Sequence, residues 1–226
     1  AYHFSVHSLL SSALAAWPKA PTVLLREHYR CHPKIINFCN QKFYGGKLIV
    51  MTADHDEPDV LTMYRTAPGN HARGRLNQRE IDVIQKEVLP HLQEKGYRSI
   101  GVITPYRDQV AALQSQLGGG IEAVTVHKFQ GREKDAIVLT SVDNVITEFV
   151  DDPRMLNVAV SRAVKSLTVV TSQDPRNDQT NYGDLARYIE YNSCAVVESA
   201  VYSIFDLLYQ GYAQQRRVFL QKHRRI

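Results

Sequence analysis

The chain has 226 residues, 44% hydrophobic and 22% charged, with a formal net charge of +4. That length suffices for a sizeable core in one domain, or one domain with an appendage, and the balance is a soluble globular profile that leans toward a polyanionic partner. No apolar run approaches the roughly 20 residues of a membrane span, the start lacks a signal peptide's basic head and cleavage site, and the expected compartment is the cytoplasm. Cys31, Cys39 and Cys194 are odd in number and lack metal or disulfide spacing, so they read as buried thiols. The missing initiator Met and the basic stop "QKHRRI" read as a cut inside a longer polypeptide.

In chain order, residues 1–21 read as an upstream connecting segment. "LLREHYRCHPKIINFCNQKFYGGKL" then packs Arg26, His28, Tyr29, Arg30 and His32 together and opens a helix after Pro33. His28 and His32 stand at a spacing a metal could use, but Pro33 spoils a helix there and no further ligand follows at a ligand spacing, so no metal is expected. "VLTMY" (60–64), "SIGVIT" (99–104), "EAVTV" (122–126), "AIVLTSV" (136–142) and "SLTVVT" (166–171) read as strands. Several are apolar on both alternations, as strands covered on both faces must be. Ile81, Ile84, Val88 and Leu92 share a helical face behind the capping signal Asn77 to Glu80. Val110, Leu113 and Leu117 mark a second helix that stops at "GGG", and a third is expected from about Pro153 to Val164. The alternation predicts an α/β fold built on a parallel sheet, with ligands at the carboxyl ends of the strands.

Three motifs are expected at those ends. Thr104, Pro105 and Tyr106 close a strand and open a helix, which suits a phosphate or is a plain helix start. "TVHKFQGREKD" follows the next strand, with Gly131 permitting close backbone approach and Gln130 and Glu133 offering hydrogen bonds. "NVAVSRAV" places Arg162 on the third helix, as a salt-bridged residue or as a guanidinium aimed at phosphate.

Taken in order, "HYRCHP", "GVITPYRDQV", "TVHKFQGREKDAIVLTSV" and "DDPRMLNVAVSRAVKSLTVV" resemble the second, C-terminal RecA-like domain of a superfamily 1 helicase. The branch is the one that includes the nonsense-mediated-decay helicase and its bacterial AAA-domain relatives. The resemblance covers residues 22–172 and implies a RecA-like, P-loop NTPase fold, a parallel sheet flanked by helices on both faces. It implies that Arg30 and Arg162 reach the terminal phosphate of ATP, that Tyr29 stacks on adenine, and that Gly131 and Glu133 meet phosphate or ribose. Gln130 would link that site to the nucleic acid, whose backbone Thr104, Pro105, Thr125, His127 and Lys128 would track. His127 stands where eukaryotic relatives usually carry Asp.

A helicase engine also needs a phosphate loop and an acidic pair for Mg²⁺. "YGGKLI" and "LGGGIEAV" fail the spacing, and Asp143 lacks an adjacent Glu. The resemblance therefore implies ATP with Mg²⁺ held by a preceding RecA-like domain, the chain alone being inactive. It also implies a single-stranded partner, DNA favoured over RNA, no membrane partner, and 5′ to 3′ polarity. A non-catalytic nucleic-acid-binding module is the alternative. Residues 173–226 read as a helical extension, with Leu185, Tyr188 and Ile189 on one helix and Ile204, Leu208 and Tyr212 on a longer one. The latter ends in Arg216, Arg217, Lys222, Arg224 and Arg225, a nucleic-acid surface or a solvated face.

Overall fold

The computed structural model describes residues 5–67, 72–118, 121–172, 179–192, 194–202, 211, 212 and 215. Apart from Tyr212, the residues cited for the expected last helix and the basic cluster after it lie outside the described residues.

A helix, α1 (Leu9–Ala16), buries none of its residues, and Leu9, Leu10, Leu14 and Trp17 are all exposed. Next, β1 (Glu27–His28) pairs in parallel with β2 (Ile49–Val50), and α2 (Pro33–Phe43) lies between them. Pro33 suits the first helical turn, where its missing N–H costs nothing, and His32 caps the helix by accepting the Lys34 N–H. Then β3 (Leu61–Arg65) leads to the antiparallel pair β4 (Ala72–Arg73) and β5 (Leu76–Asn77). One continuous helical segment follows, made of α3 (Gln78–Val83), a π-helical stretch (Ile84–Val88) and α4 (Leu89–Glu94). The remaining order is β6 (Ile100–Thr104), α5 (Arg107–Gln116), β7 (Glu122–Thr125), a 3₁₀ turn (Val126–Phe129), β8 (Lys134–Thr140), α6 (Pro153–Val160), β9 (Ala163–Thr171), α7 (Asn181–Tyr191) and β10 (Ala195–Glu198).

Six strands form one wholly parallel sheet in the order β10-β3-β9-β8-β6-β7. Alternation along each strand divides the core in two. Ile137, Leu139, Leu167 and Val169 face α2, α6 and α7, whereas Ala136, Val138 and Val170 face the 78–94 helical segment and α5. The two-sided burial inferred from the strand composition is what the sheet shows, and all five expected strands are present.

Three local expectations need correction. The helix expected through Val164 stops at Val160, because Ala163 already pairs with Lys134 as β9 begins. Arg162 is therefore in the turn between α6 and β9 and not on a helix. The capping signal is only half realised: Asn77 Oδ1 accepts the Glu80 N–H at 3.2 Å, but the Glu80 side chain turns into the core. Finally, α7 buries Leu185 and Ile189 against the face that holds α2 and α6, and beyond it "AVVE" pairs with β3 as an edge strand where only helix was expected.

Candidate functional site

The predicted residues fall into two groups at opposite edges of the sheet. Lys134 opens β8 and Ala163 opens β9, so Glu133 and Arg162 lie at the amino edge. This corrects the expectation that every motif gathers at the carboxyl ends. The Lys134 N–H donates to the Arg162 carbonyl at 3.2 Å, joining the two strand starts. The "HYRCHP" segment docks on the same edge: the His32 N–H donates to the Val164 carbonyl at 2.7 Å and the Cys31 thiol to the Ser161 carbonyl at 3.4 Å.

Arg30 Nε stands 2.5 Å from Glu133 Oε2, both side chains being about half exposed. Arg162 is aimed differently, since its guanidinium donates to neutral acceptors, the Val158 carbonyl at 3.1 Å, the Arg132 carbonyl at 3.4 Å and Ser161 Oγ at 3.2 Å. Burial first, and the neighbouring Arg30 charge second, pull the Arg162 guanidinium below its ordinary pKa. It stays protonated nonetheless. Two guanidiniums therefore stand close together at this edge, with the carboxylates of Glu27 and Glu133 beside them. Burial, then Arg30 and Arg162, also lower the pKa of His28, whose Nε2 accepts the Cys31 N–H at 2.9 Å, an acceptor role only the neutral ring can fill. Tyr29 is 66% exposed and donates to Glu27. Tyr29, Arg30 and Glu133 line a cleft of about 560 Å³ with Glu27, His28 and Val164.

The second group is at the carboxyl edge, where Thr104 ends β6 directly opposite Thr125 of β7. A groove of about 590 Å³ there is lined by Pro105, Thr125, His127 and Lys128, and also by Arg75, Tyr106, Arg107, Asp108 and Phe149. Thr104, expected to track the strand's backbone, is instead fully buried and does not line the groove, its hydroxyl accepting the Tyr106 N–H at 3.5 Å. The sequence reading missed Arg75 and Phe149, whose distant positions only folding unites. For Tyr106 and Arg107, the adjacency to Pro105 was the available signal.

Residues 126–133 join the two edges. In the 3₁₀ turn, side chains three apart share a side, so Val126 and Phe129 are buried while His127 and Lys128 point outward. Gly131 has φ +82°, a conformation glycine adopts without strain, and a side chain there would meet nothing within 4 Å. Gln130 lines a neighbouring cavity of about 420 Å³ with His127 and Phe149. It is thus grouped with the carboxyl edge, not with Arg30 and Glu133.

Behind the groove is a buried polar knot. Glu80 accepts from Thr140 Oγ1 and, near 3 Å, from Ser141 Oγ, Ser172 Oγ and the Val142 N–H. Asn77 Nδ2 donates to the Val142 carbonyl at 2.8 Å and to Ser172 Oγ at 2.5 Å. Together they hold Val142 at φ +67°, where a β-branched residue is strained, with the Asp143 N–H donating to the Ser141 carbonyl in a γ-turn. Asp143 is thereby set to accept from the Tyr106 hydroxyl at 2.7 Å.

His32, Asp54 and Glu57 bring possible ligand atoms within 4.8 Å of one another. Their hydrogen bonds describe a different role. His32 Nδ1 accepts the Lys34 N–H, so a neutral ring carries its proton on Nε2, 3.2 Å from Glu57 and 3.3 Å from Asp54. A nitrogen that donates has no lone pair for a metal. His32 caps α2, and the two carboxylates face its Nε2–H.

The AAA domain family matches residues 6–174 of this chain. The chain is 32% identical over 172 residues to the ATP-dependent helicase upf1 of Schizosaccharomyces pombe, covering 63% of this chain and 19% of that protein. It is 28% identical over 187 residues to the 5'-3' DNA helicase ZGRF1 of Mus musculus, covering 74% and 10%. It is also 28% identical over 202 residues to the DNA polymerase alpha-associated DNA helicase A of Saccharomyces cerevisiae, covering 72% and 29%. The chain thus spans less than a third of the length of these curated relatives. No helix among the described residues is long and apolar enough to cross a membrane. The chain belongs to the AAA domain family and is a RecA-like domain of the superfamily 1 helicases, homologous to ATP-dependent helicases.

Proposed function

We propose that the chain is the C-terminal motor domain of an ATP-dependent nucleic-acid translocase, supplying arginine fingers at one edge of its sheet and single-strand contacts at the other. The observation that carries this reading is the proximity of two guanidiniums, Arg30 and Arg162, at the amino edge, joined by eight residues to the groove at the carboxyl edge. The cleft suits the phosphate end of ATP, with Arg30 on its wall, Arg162 near enough to feel the Arg30 charge, and Tyr29 exposed for adenine. Glu133 completes its wall, and Gly131 lies two residues before it. Mg²⁺ and the phosphate loop belong to a preceding RecA-like domain of the same polypeptide, for which the exposed apolar face of α1 is a suitable seat. Guanidiniums brought to a terminal phosphate stabilise the charge that develops there as phosphoryl transfer proceeds.

At the groove, Thr125, His127, Lys128 and Pro105 offer groups suited to phosphate and sugar, so binding is tolerant of sequence. DNA is the favoured track. In the polypeptide that joins this domain to its phosphate loop, Arg162→Ala should lower strand-stimulated ATP turnover by roughly 10³-fold or more while strand affinity changes little. Undiminished turnover would refute the finger role, and no turnover in the unaltered polypeptide would favour a non-catalytic binding module.

A further inference from the structure

Phe149 is 51% exposed, and a lone exposed phenylalanine is ordinary. This one, however, is held in place at the junction of two cavities. The groove with Thr125, Lys128 and Arg107 and the neighbouring cavity with Gln130 and Arg154 share two lining residues, His127 and Phe149. Its ring is stacked on that of Tyr106, with centroids 5.6 Å apart and planes inclined by 23°. Tyr106 is fixed in turn: its hydroxyl donates to Asp143 Oδ2, which also accepts from Thr147 Oγ1 at 3.0 Å, and the Arg75 guanidinium carbon lies 5.8 Å from its ring centroid. The far end of the loop is pinned as well. The Asp151 carboxylate accepts the Asn181 and Tyr182 N–H groups at 3.0 Å each, and Asp152 caps α6 through the Arg154 and Met155 N–H groups.

We infer that Tyr106 and Phe149 form a base-stacking platform, on which a nucleobase of the single strand lays its face against the exposed Phe149 ring. The inference rests on the strand-binding reading above and adds a contact to the bases. The cationic and hydroxyl groups beside the platform suit phosphates, and a ring between the two cavities is placed to meet what the backbone carries. Phe149 has no donor or acceptor, so it accepts any base, since each has a π-face. Because the stack is already ordered, little conformational freedom is lost on binding.

The test is a fluorescence-anisotropy titration of the chain with a labelled deoxythymidine homopolymer and with an abasic strand of equal length and phosphate count. The base-bearing strand should bind roughly five- to fifty-fold more tightly. Phe149→Ala should remove most of that difference and leave the abasic affinity and its salt dependence unchanged, whereas Phe149→Trp should retain it. Equal affinities for the two strands, or an equal loss on both in Phe149→Ala, would overturn the platform and leave the strand-binding reading standing. Binding of neither strand would overturn both.

Discussion

Glu80 shows how one residue type serves two purposes at once. Its backbone N–H takes the Asn77 cap while its carboxylate is fully buried among hydroxyl and amide donors at the end of β8. Burial pushes its pKa up to about 7 against the pull of those hydrogen bonds. A carboxyl with a raised native pKa takes up a proton more readily folded than unfolded. Its contribution to stability is therefore fully present below the unfolded value of 4.5 and is lost as pH rises through about 7. In urea titrations between pH 5 and 7, the wild-type chain should lose stability relative to Glu80→Gln, which cannot ionise there, by about 2 kcal/mol. Parallel pH profiles for the two would show that Glu80 keeps an ordinary pKa. Arg162 makes a complementary point: its neighbours Ala163 and Val164 read as helix continuation, yet the pairing of Ala163 with β8 and the His32 N–H on the Val164 carbonyl decided the local structure.

At the scale of elements, the connection over residues 126–133 governs the site. It runs from the edge strand β7 across β6 to β8, and the span from the level of Thr104 to that of Ile100 is about 13 Å at the usual strand rise. The crossing is possible because β6 carries Gly101 where Phe129 packs. A methyl group there would approach the Phe129 ring to 2.9 Å and Lys134 Cγ to 3.1 Å. Gly101→Ala should therefore destabilise the chain by about 1–3 kcal/mol in urea unfolding, and Phe129→Leu in the same chain should recover part of the loss. Gly118→Ala, which meets nothing within 4 Å, is the control. A Gly101→Ala variant as stable as this control would mean that the ring does not seat the loop. None of this was legible beforehand, since a glycine inside an apolar strand gives no sign of which ring lies over it.

For the whole molecule, the separation of the two clusters means that the proposed strand binding and the proposed finger function draw on different residues. The carboxyl-edge groove should suffice for weak binding of single strands that falls with added salt, the logarithm of the affinity declining linearly with that of the salt concentration. Lys128→Ala should make that slope shallower by about one phosphate contact and weaken different sequences alike. Tight, salt-independent and sequence-selective binding would contradict the proposed contacts. Glu133→Gln bears on the other edge and should leave this slope unchanged.

The parallel α/β class, the five strands and most helices were legible because each depends on local pattern: β-branched runs buried on both faces, periodic apolar positions, and Pro33 or Pro153 opening a helix. The same holds for the residues that make up the motifs, whose types and order are properties of the chain itself. Their partition was decided only by the tertiary structure, which put Arg30, Glu133 and Arg162 at the amino edge and Thr125, His127 and Lys128 at the carboxyl edge. The physical reason is the strand order: a parallel return from β7 to β8 must carry the chain back along the full length of β6. So must the pairing of Phe149 with Tyr106, the turn at Val142 and the edge strand β10 be credited to the fold, because each depends on contacts between segments far apart in sequence, which no local pattern encodes.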